Sequence, residues 1–522
     1  MEQYLIDLML APTSYPEPVT AVQHLQTHIS HIFLTDTFVY KIKKPVNFGF
    51  LDFTTLEKRR FYCHEELRLN RRLSPDMYLE VVAICRDAAG KVSFNSSSPV
   101  LEYAVKMCRM PEERMMSRLL DRGGVTVADI DAIACKVAQF HGEAARGNGI
   151  QLYGTIESIR ANWRENLQQT MPYLGRTLTE QDHRLISEWA LNRLEQDALL
   201  FQQRVQDGFI RECDGDLHSE NICLNGQVHI FDCIEFNEKF RYSDTAADVA
   251  FLAMDLENHG RRDLAERFVD RYELESGDCS LRRVLPLYLA NRAFIRGKVE
   301  SFRLDDPLID AAEKASAAAR AQRFFRLARG YVLREKLSRT LFLTCGPTGC
   351  GKSAVAEELA FQLGLNHYAS DLERKRLAGV EPTERGRAIY SQAWNQATYD
   401  RLFELSQAGL ASGASVIADA TFRSCTERKR FADMASTVGA STVFLHLSCP
   451  PDLIRLRLEA RKNQDNVISD GTWEIYQKQM ATFEQPTADE ALLVILDAVL
   501  TPVEQVEQVL EKLGLLVPEK EK

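Results

Sequence analysis

The chain has 522 residues, too many for one ordinary hydrophobic core, so we expect roughly two to four domains. Hydrophobic residues make up 45% and charged residues 26%, the balance of a globular protein that folds in water. The net charge of −10 argues against a general affinity for nucleic acid or anionic membranes, and no apolar run is long enough to cross a bilayer. The N-terminus shows no secretion signal and the 12 cysteines form no CxxC pair, so we expect a cytoplasmic protein with reduced thiols.

The first predicted elements form a small mixed lobe over residues 1 to about 110. Two β-rich runs flank an Asp36-Thr37 turn and predict a hairpin, and a long helical pattern follows. In chain order we predict strands at 31–34 and 38–42, a helix at about 55–73, and strands at 79–84 and 99–105.

The middle of the chain is predominantly helical. Helical periodicity runs from 112 to about 207 and resumes after a polar, loop-rich stretch at 208–250 that holds two short predicted strands. The Ala- and Arg-rich segment 311–333 predicts a helix that joins two domains. We therefore divide the chain into domains at 1–335 and 336–522.

Strands and helices alternate through the last portion of the chain. Apolar strands are predicted at 340–345, 367–370, 415–419, 442–448 and 492–497. This alternation, with short connections, predicts an α/β domain with a parallel sheet and helices on both faces.

A glycine-rich run follows the first of these strands and precedes a helical pattern, 354–363, that stops at Gly364. Glycines let successive backbone N–H groups turn toward phosphate oxygens, and the helix N-terminus adds its dipole. Lys352 can reach the β- and γ-phosphates, and the Ser353 hydroxyl can ligate Mg²⁺. The run therefore predicts a site for ATP and Mg²⁺. The predicted cofactor-binding residues are Gly346, Pro347, Thr348, Gly349, Cys350, Gly351, Lys352 and Ser353.

Two carboxylates follow strands of the predicted parallel sheet. Ligands bind at the carboxyl ends of such strands, so we expect Asp371 to face the site and Asp419 to lie near the Mg²⁺ position. A mechanical ATPase would normally carry a second acidic residue after Asp419, where this chain has Ala420-Thr421. A GTPase would need an N-K-x-D segment, which the sequence lacks. The pattern favours a kinase.

An arginine-bearing helix with Arg457 and Arg461, followed by the polar pair Ser469-Asp470, suits a lid that closes over the transferring phosphoryl group. The domain resembles the P-loop kinases that phosphorylate small molecules or nucleic-acid ends, including the zeta-toxin and polynucleotide-kinase groups. By that resemblance Asp371 deprotonates or orients the acceptor hydroxyl, Arg374 holds the acceptor, Asp419 supports the metal, and Arg457 or Arg461 stabilises the transition state.

A second constellation lies in the first domain. Asp216 is followed five residues later by Asn221, and Asp232 comes eleven residues after that, at the end of a predicted strand. Phosphoryl transfer in the protein-kinase architecture uses such a trio, because one carboxylate orients the attacking hydroxyl while an amide and a second carboxylate hold the metal. The alternative is that Asp216 and Asn221 only cap the loop.

The run from Gly215 to Asn221 resembles the catalytic loop of aminoglycoside phosphotransferase-like kinases, which have a two-lobed α+β, protein-kinase-like fold. The resemblance implies that Asp216 is the catalytic base and that Asn221 and Asp232 are Mg²⁺ ligands. It assigns Lys41 to the α- and β-phosphates, with Lys43 as the alternative. It further implies a carboxylate partner for the lysine, namely Glu66 or else Glu57 or Glu65, and a buried brace, Asp248.

The chain departs from that family in three places. Asp214 stands where the family usually has His, and no glycine-rich loop precedes the first strands, so 27–31 would have to cover the phosphates. The segment 233–237 differs from that of the antibiotic-modifying enzymes, so aminoglycosides are not assumed as substrates.

The whole chain resembles bacterial fusions of an aminoglycoside phosphotransferase-like kinase with a P-loop domain. We therefore expect a phosphotransferase with two ATP and Mg²⁺ sites that act on small-molecule hydroxyls. The alternative is a nucleotide-binding pseudokinase that regulates a toxin-like or nucleic-acid-end P-loop kinase. Binding to RNA ends would require a basic surface near 374–376. The sequence leaves the acceptor and the oligomeric state open.

Overall fold

The computed structural model describes residues 3–86, 92–307, 309–381, 389, 391–461 and 471–517. The chain divides into two compact units, Met1–Ala328 and Arg329–Lys522. Among the helices in the described ranges, none combines the length and apolar character needed to cross a bilayer.

Unit 1 begins with an antiparallel sheet whose six strands lie in the order β1-β2-β3-β6-β4-β5. The predicted hairpin is confirmed as β2 paired with β3, and the predicted helix and two later strands are α2, β4 and β6. The strands are β1 (Gln23–Gln26), β2 (Ser30–Leu34), β3 (Phe38–Lys43), β4 (Tyr78–Arg86), β5 (Val92–Phe94) and β6 (Val100–Cys108), and the helices are α1 (Gln3–Leu10) and α2 (Leu56–Asn70).

Side chains alternate across this sheet and give it two different faces. Tyr40 and Ile42 of β3 face a cluster that includes Met9 of α1. Val39 faces the opposite side, where it packs near Cys63 of α2. Lys41 and Lys43 share the side of Val39, so the backbone directs both lysines toward α2.

The rest of unit 1 is largely helical, as predicted. The stretch 208–250 holds four short strands rather than two, which form antiparallel pairs β7–β10 and β8–β9. Two of the four, Ile210–Glu212 and Tyr242–Asp244, have three residues each, which is too few to show a periodicity in the sequence. The strands are β7 (Ile210–Glu212), β8 (Ile222–Asn225), β9 (Gln227–Ile230) and β10 (Tyr242–Asp244), and the helices are α3 (Met116–Asp121), α4 (Val127–Glu143), α5 (Ile156–Thr170), α6 (Glu180–Gln196), α7 (Ala198–Gln206), α8 (Glu238–Arg241), α9 (Thr245–Asn258), α10 (Arg262–Ser276), α11 (Leu281–Phe302) and α12 (Ala311–Lys336). The division between the units falls within α12.

Unit 2 contains the predicted parallel sheet, in the order β12-β13-β11-β14-β15. Leu341 and Leu343 pack with Leu402 and Phe431 of the helices on one face, α15 and α16. On the other face α13 and α19 contact each other and the strands. The strands are β11 (Thr340–Cys345), β12 (Asn366–Ala369), β13 (Val416–Asp419), β14 (Ser441–Ser448) and β15 (Leu492–Asp497), and the helices are α13 (Lys352–Leu363), α14 (Ser370–Ala378), α15 (Gln392–Ala411), α16 (Cys425–Thr437), α17 (Pro451–Arg461), α18 (Trp473–Met480) and α19 (Pro502–Lys512).

Candidate active sites

The glycine-rich run of unit 2 connects β11 to α13 at the carboxyl edge of the sheet. Gly349 and Gly351 adopt φ angles of +82° and +102°, which side chains disfavour. A Cβ at Gly349 would also lie 3.0 Å from side-chain atoms of Ile454 and Leu458. Gly364, with φ of +61°, ends α13 where the sequence predicts. The loop therefore has the backbone shape that turns N–H groups toward an anion.

Lys352, Ser353 and Asp419 converge at this loop. Lys352 Nζ donates to the Pro347 carbonyl at 2.8 Å, which holds the ammonium at the loop. Ser353 Oγ donates to Asp419 Oδ2 at 2.5 Å, and the Thr344 hydroxyl donates to Asp419 Oδ1 at 2.9 Å. A hydroxyl beside a carboxylate fits the oxygen-rich coordination that Mg²⁺ prefers.

Asp419 is nearly fully buried at the end of β13, next to β11. Burial raises the pKa of Asp419, but the neighbouring His367, Lys352 and Ser353 lower it by more than burial raises it. The net pKa therefore lies below the ordinary value. Asp419 therefore carries a negative charge at neutral pH.

His367 is a residue of this site that the sequence did not single out. Its Nε2 atom lies 3.6 Å from Asp419 Oδ2, because β12 pairs with β13 and places Ala369 opposite Asp419. His367 is the first residue of the predicted strand 367–370, so its position in the sequence gave no signal of a place in the site.

Asp371 and Arg374 lie on α14 instead of at a strand end. The predicted strand 367–370 ends at Ala369, and α14 begins at Ser370, so Asp371 occupies the first helical turn. Arg374 is 6% exposed, and its Nη1 donates to Asn395 Oδ1 at 2.6 Å. The basic run 374–376 is not a cationic surface, because Arg374 and its neighbour Lys375 are both buried.

Arg457 is directed at carbonyl oxygens on either side of it. Its Nη1 donates to the Cys350 carbonyl at 3.1 Å, and its Nη2 donates to the Ala498 carbonyl at 2.7 Å. It thus ties the phosphate loop to the β15–α19 connection, and its predicted transition-state role stays a prediction. Arg461 ends α17 and lines the cavity described next, whereas the predicted lid pair 469–470 lies outside the described residues.

A cavity of about 300 Å³ adjoins the phosphate loop. Its lining includes Gly351 of the loop, Arg457 of α17, and Leu500, Pro502 and Gln505 at the start of α19. Its lining is mainly apolar, as is usual for the part of a ligand site that receives a flat organic group.

In unit 1, Lys41, Glu66 and Asp232 come together although they lie on β3, α2 and the segment after β9. Lys41 Nζ lies 2.9 Å from Glu66 Oε1 and 2.5 Å from Asp232 Oδ1. Glu66 is therefore the carboxylate that contacts the lysine, while Glu65 pairs with Arg68. Asp232 has φ of +66°, a strained conformation for a residue with a side chain, and such strain is common at functional sites.

Lys43 is buried beside Lys41 and joins two carboxylates. Its Nζ lies 2.7 Å from Glu66 Oε2 and also donates to Glu235. Burial lowers the pKa of Lys43, but Glu235 and Glu66 raise it by more than burial lowers it. The net pKa therefore lies above the ordinary value. The sequence did not identify Glu235. Its position three residues after Asp232 was the only signal available.

Asp216 and Asn221 form a hydrogen-bonded pair in the predicted catalytic loop. Asn221 Nδ2 donates to the Asp216 carbonyl at 3.0 Å and to Asp216 Oδ2 at 3.1 Å. Burial raises the pKa of Asp216, but the nearby His218, followed by Arg296 and Arg292, lowers it to a net value below the ordinary one. Asp216 is thus held ionised, as a hydroxyl-orienting base requires.

Asp248 braces this loop from α9. Its carboxylate accepts the backbone N–H groups of Asp214 at 2.7 Å and Gly215 at 3.0 Å, and it lies 3.2 Å from His141 Nε2. Asp214 is buried beside it. Burial, followed by repulsion from Asp248, raises the pKa of Asp214 well above its ordinary value.

The segment that would cover the phosphates is the turn between β1 and β2. Lys44 Nζ donates to the Thr27 carbonyl at 2.6 Å, and the Ser30 N–H donates to the Thr27 hydroxyl at 3.0 Å. Hydrogen bonds to neighbouring side chains, instead of glycines, shape this turn.

The family model described as an AAA domain matches residues 341–486, which include the phosphate loop, Asp371 and Asp419. Together with the loop geometry, this match defines unit 2 as a P-loop nucleotide-binding domain. Solved structures with similarity include a choline/ethanolamine kinase family protein from Mesorhizobium loti, at 14% identity over 63% of this chain and 99% of that chain with a TM-score of 0.37. A sugar kinase from Janibacter sp. HTCC2649 matches at 22% identity over 35% of this chain and 97% of that chain, with a TM-score of 0.27.

The relatives that match most of the chain are mycobacterial. "Uncharacterized protein Rv2004c" of Mycobacterium tuberculosis (strain ATCC 25618 / H37Rv) is 31% identical over 461 residues, which cover 86% of this chain and 88% of the relative. "Uncharacterized protein Mb2027c" of Mycobacterium bovis (strain ATCC BAA-935 / AF2122/97) matches equally. The chain belongs to the same family as these mycobacterial proteins.

Proposed function

We propose that the protein is an ATP- and Mg²⁺-dependent phosphotransferase with two nucleotide sites, each of which transfers a γ-phosphoryl group to a small-molecule hydroxyl. Unit 1 is then an aminoglycoside phosphotransferase-like kinase domain and unit 2 a P-loop kinase domain. The observation that carries the proposal is the convergence of Lys41, Glu66 and Asp232 in unit 1. Together with the hydrogen-bonded Asp216–Asn221 pair, these residues would give unit 1 a phosphate site of its own, in addition to the phosphate loop of unit 2.

In unit 2 the phosphate loop holds the triphosphate through its backbone N–H groups and Lys352. Ser353 and Asp419 would hold Mg²⁺, and the cavity beside Gly351 receives the nucleoside. Asp371, in the first turn of α14, orients the acceptor hydroxyl. Arg374 contributes by holding α14 to Asn395 of α15.

In unit 1 Lys41 holds the α- and β-phosphates, and Glu66 fixes the position of its ammonium. Asn221 and Asp232 would hold Mg²⁺, which when bound neutralises charge on the phosphates. The residues fit that role, since the Asn221 side chain donates through Nδ2 to Asp216, and within the described residues its Oδ1 atom accepts no hydrogen bond. Asp232 is 45% exposed and reachable by a ligand.

Asp216 accepts the proton of the acceptor hydroxyl as its oxygen attacks the γ-phosphorus. The bond between the γ-phosphorus and the bridging oxygen breaks, and ADP leaves. Because the pKa of Asp216 lies below its ordinary value, the carboxylate is ready to accept this proton at neutral pH.

The full-length chain and its Asp216→Ala and Lys352→Ala variants test the proposal in an assay of acceptor-dependent ADP release over a panel of hydroxyl compounds. We expect each variant to lose the activity of one site by about 100-fold or more while the other site still works. If Asp216→Ala matches the wild type with every acceptor, unit 1 does not catalyse and the regulatory alternative replaces the proposal.

A further inference from the structure

Four phenylalanines on two neighbouring segments form a continuous aromatic surface in unit 1. Phe48 and Phe50 lie on the β3–α2 connection, and Phe236 and Phe240 lie on the segment after Asp232. The Phe50 ring centre lies 6.0 Å from that of Phe48, 6.0 Å from that of Phe236 and 6.1 Å from that of Phe240. We name this set of four rings the aromatic wall.

The β3–α2 connection is ordered so that it presents two of these rings to solvent. The Phe48 N–H donates to the Leu51 carbonyl at 3.1 Å, and the Phe53 N–H donates to the Val46 carbonyl at 2.9 Å. Leu51 and Phe53 point inward and are at most 3% exposed, whereas Phe48 is 48% and Phe50 is 47% exposed. Contiguous exposed apolar rings in a pinned loop indicate a binding surface, unlike scattered exposed side chains.

The wall adjoins the predicted catalytic loop. A Cβ on Gly215, the residue before Asp216, would lie 2.7 Å from the Phe240 carbonyl oxygen. The Ile234 N–H donates to the Asp214 carbonyl at 3.2 Å, and the Cys213 N–H donates to the Arg241 carbonyl at 3.0 Å. The segment that carries Phe236 and Phe240 therefore runs along the backbone of the catalytic loop.

A hydrogen bond joins the two halves of the wall. Asn237 Nδ2 donates to the Phe50 carbonyl at 3.0 Å, and Phe53 lies under the Lys43 ammonium, 4.9 Å from it. Next to Phe240 in the chain, Lys239 pairs with Glu165, which partly neutralises its charge. The wall offers ring faces and apolar area instead of a charged anchor.

We propose that the aromatic wall is the acceptor-binding surface of unit 1 and that it selects alcohols whose body carries an aromatic or comparably flat apolar group. This inference rests on the proposed function: the acceptor is the occupant because one side of the wall belongs to the segment that packs along the loop carrying Asp216. Aromatic rings recognise such a group by stacking and edge contacts, which a polyol cannot make.

Matched pairs of acceptors test the proposal on the full-length chain. Phenyl glucoside is compared with glucose, and phenylethanol with ethanol, by ADP release in the presence of ATP and Mg²⁺. We expect the aromatic member of a pair to have a kcat/KM higher by about tenfold or more, mainly through KM. The Phe48→Ser/Phe50→Ser double variant loses this preference. Phe61→Ser, which removes a ring that is 59% exposed on α2 and outside the wall, retains it.

Equal kcat/KM within each pair, or a double variant that keeps the preference, would overturn the proposal. So would a change of oligomeric state in the double variant by light scattering, since the wall would then contact a second copy of the chain. Binding of anilinonaphthalene sulfonate gives a readout that needs no turnover, and we expect the double variant to bind it about tenfold more weakly than the wild type and Phe61→Ser. If the double variant binds the dye more weakly but no acceptor stimulates an ADP release that Asp216→Ala abolishes, the proposed function fails and the wall remains a ligand site. If the double variant binds the dye as tightly as the wild type, the wall is not a binding surface.

Discussion

At the scale of single residues, burial and neighbours shift the pKa values of two nearby aspartates in opposite directions. Asp214 has a pKa raised by burial and by Asp248, whereas Asp216, whose side chain is partly exposed, has a pKa lowered by His218 and two arginines. The raised pKa of Asp214 favours its neutral form, which lacks the extra negative charge that the sequence alone would place beside the base. The departure from the family at this position is therefore compatible with catalysis.

The replacement Asp214→Asn tests this charge state. Because the pKa of Asp214 is raised in the folded protein, the folded chain keeps this proton at pH values where the unfolded chain has lost it. Between the unfolded and the folded pKa the folded state binds more protons, so the free energy of unfolding falls as the pH rises. Asparagine does not titrate, so the variant does not lose stability at this position as the pH rises, and it keeps a side-chain oxygen that can accept the Asp216 N–H.

We expect the Tm of Asp214→Asn to exceed that of the wild type by more at pH 8 than at pH 4, at about 2 °C for each kcal/mol in a domain of this size. Scanning calorimetry at the two pH values measures it. A Tm difference that is the same at both would show that Asp214 is ionised in the folded state.

At the scale of elements, β3 presents two lysines to one helix and gives them different surroundings. Lys41 contacts the half-exposed Asp232, whereas Lys43 and its carboxylate partners Glu66 and Glu235 are all buried. The period of two along a strand explains why both lysines face α2. It does not distinguish them, because the distinction depends on what lies beyond the sheet.

The variants Lys43→Met and Lys41→Met separate the two roles. Lys43→Met leaves buried carboxylates short of a partner, and we expect it to lower the free energy of unfolding by about 3–5 kcal/mol. Lys41→Met should lower unit 1 turnover by about 100-fold with a smaller loss of stability. Lys58→Met, which breaks an exposed pair with Asp52, is the control and should cost less than about 1 kcal/mol.

Urea unfolding and ADP release measure the two effects. A Lys43→Met protein as stable as Lys58→Met would mean that the buried pair does not form, and Lys41→Met with normal turnover would remove that lysine from the phosphate site.

At the scale of the whole molecule, the chain divides into two units. In the proposed function, unit 2 would bind phosphate through backbone N–H groups of a loop, and unit 1 would bind it through a lysine and carboxylates drawn from distant parts of the chain. Because no candidate site residue is shared, we expect the two sites to bind nucleotide as separate events.

Isothermal titration of the full-length protein with a non-hydrolysable ATP analogue and Mg²⁺ should give two equivalents bound per chain. Lys352→Ala and Lys41→Met should each reduce the stoichiometry to about one, and the double variant should bind none. A single equivalent for the wild type, abolished by Lys352→Ala alone, would contradict a nucleotide site in unit 1.

The features that the sequence by itself determined are those built from contiguous residues. The phosphate loop and the five parallel strands depend on local backbone geometry and on side-chain periodicity, which neighbours in the chain carry. The spacing of Asp216 and Asn221 likewise closes one short loop, and the two side chains meet there.

Only the tertiary structure decided which distant groups meet. It selected Glu66 over Glu65, added Glu235 and His367, buried Arg374, and turned Arg457 toward carbonyl oxygens. It also assembled the aromatic wall from two segments that are far apart in sequence. The Asn237–Phe50 hydrogen bond between them joins residues 187 positions apart. Such contacts depend on which elements pack together across a sheet or loop, and local periodicity carries no information about that choice.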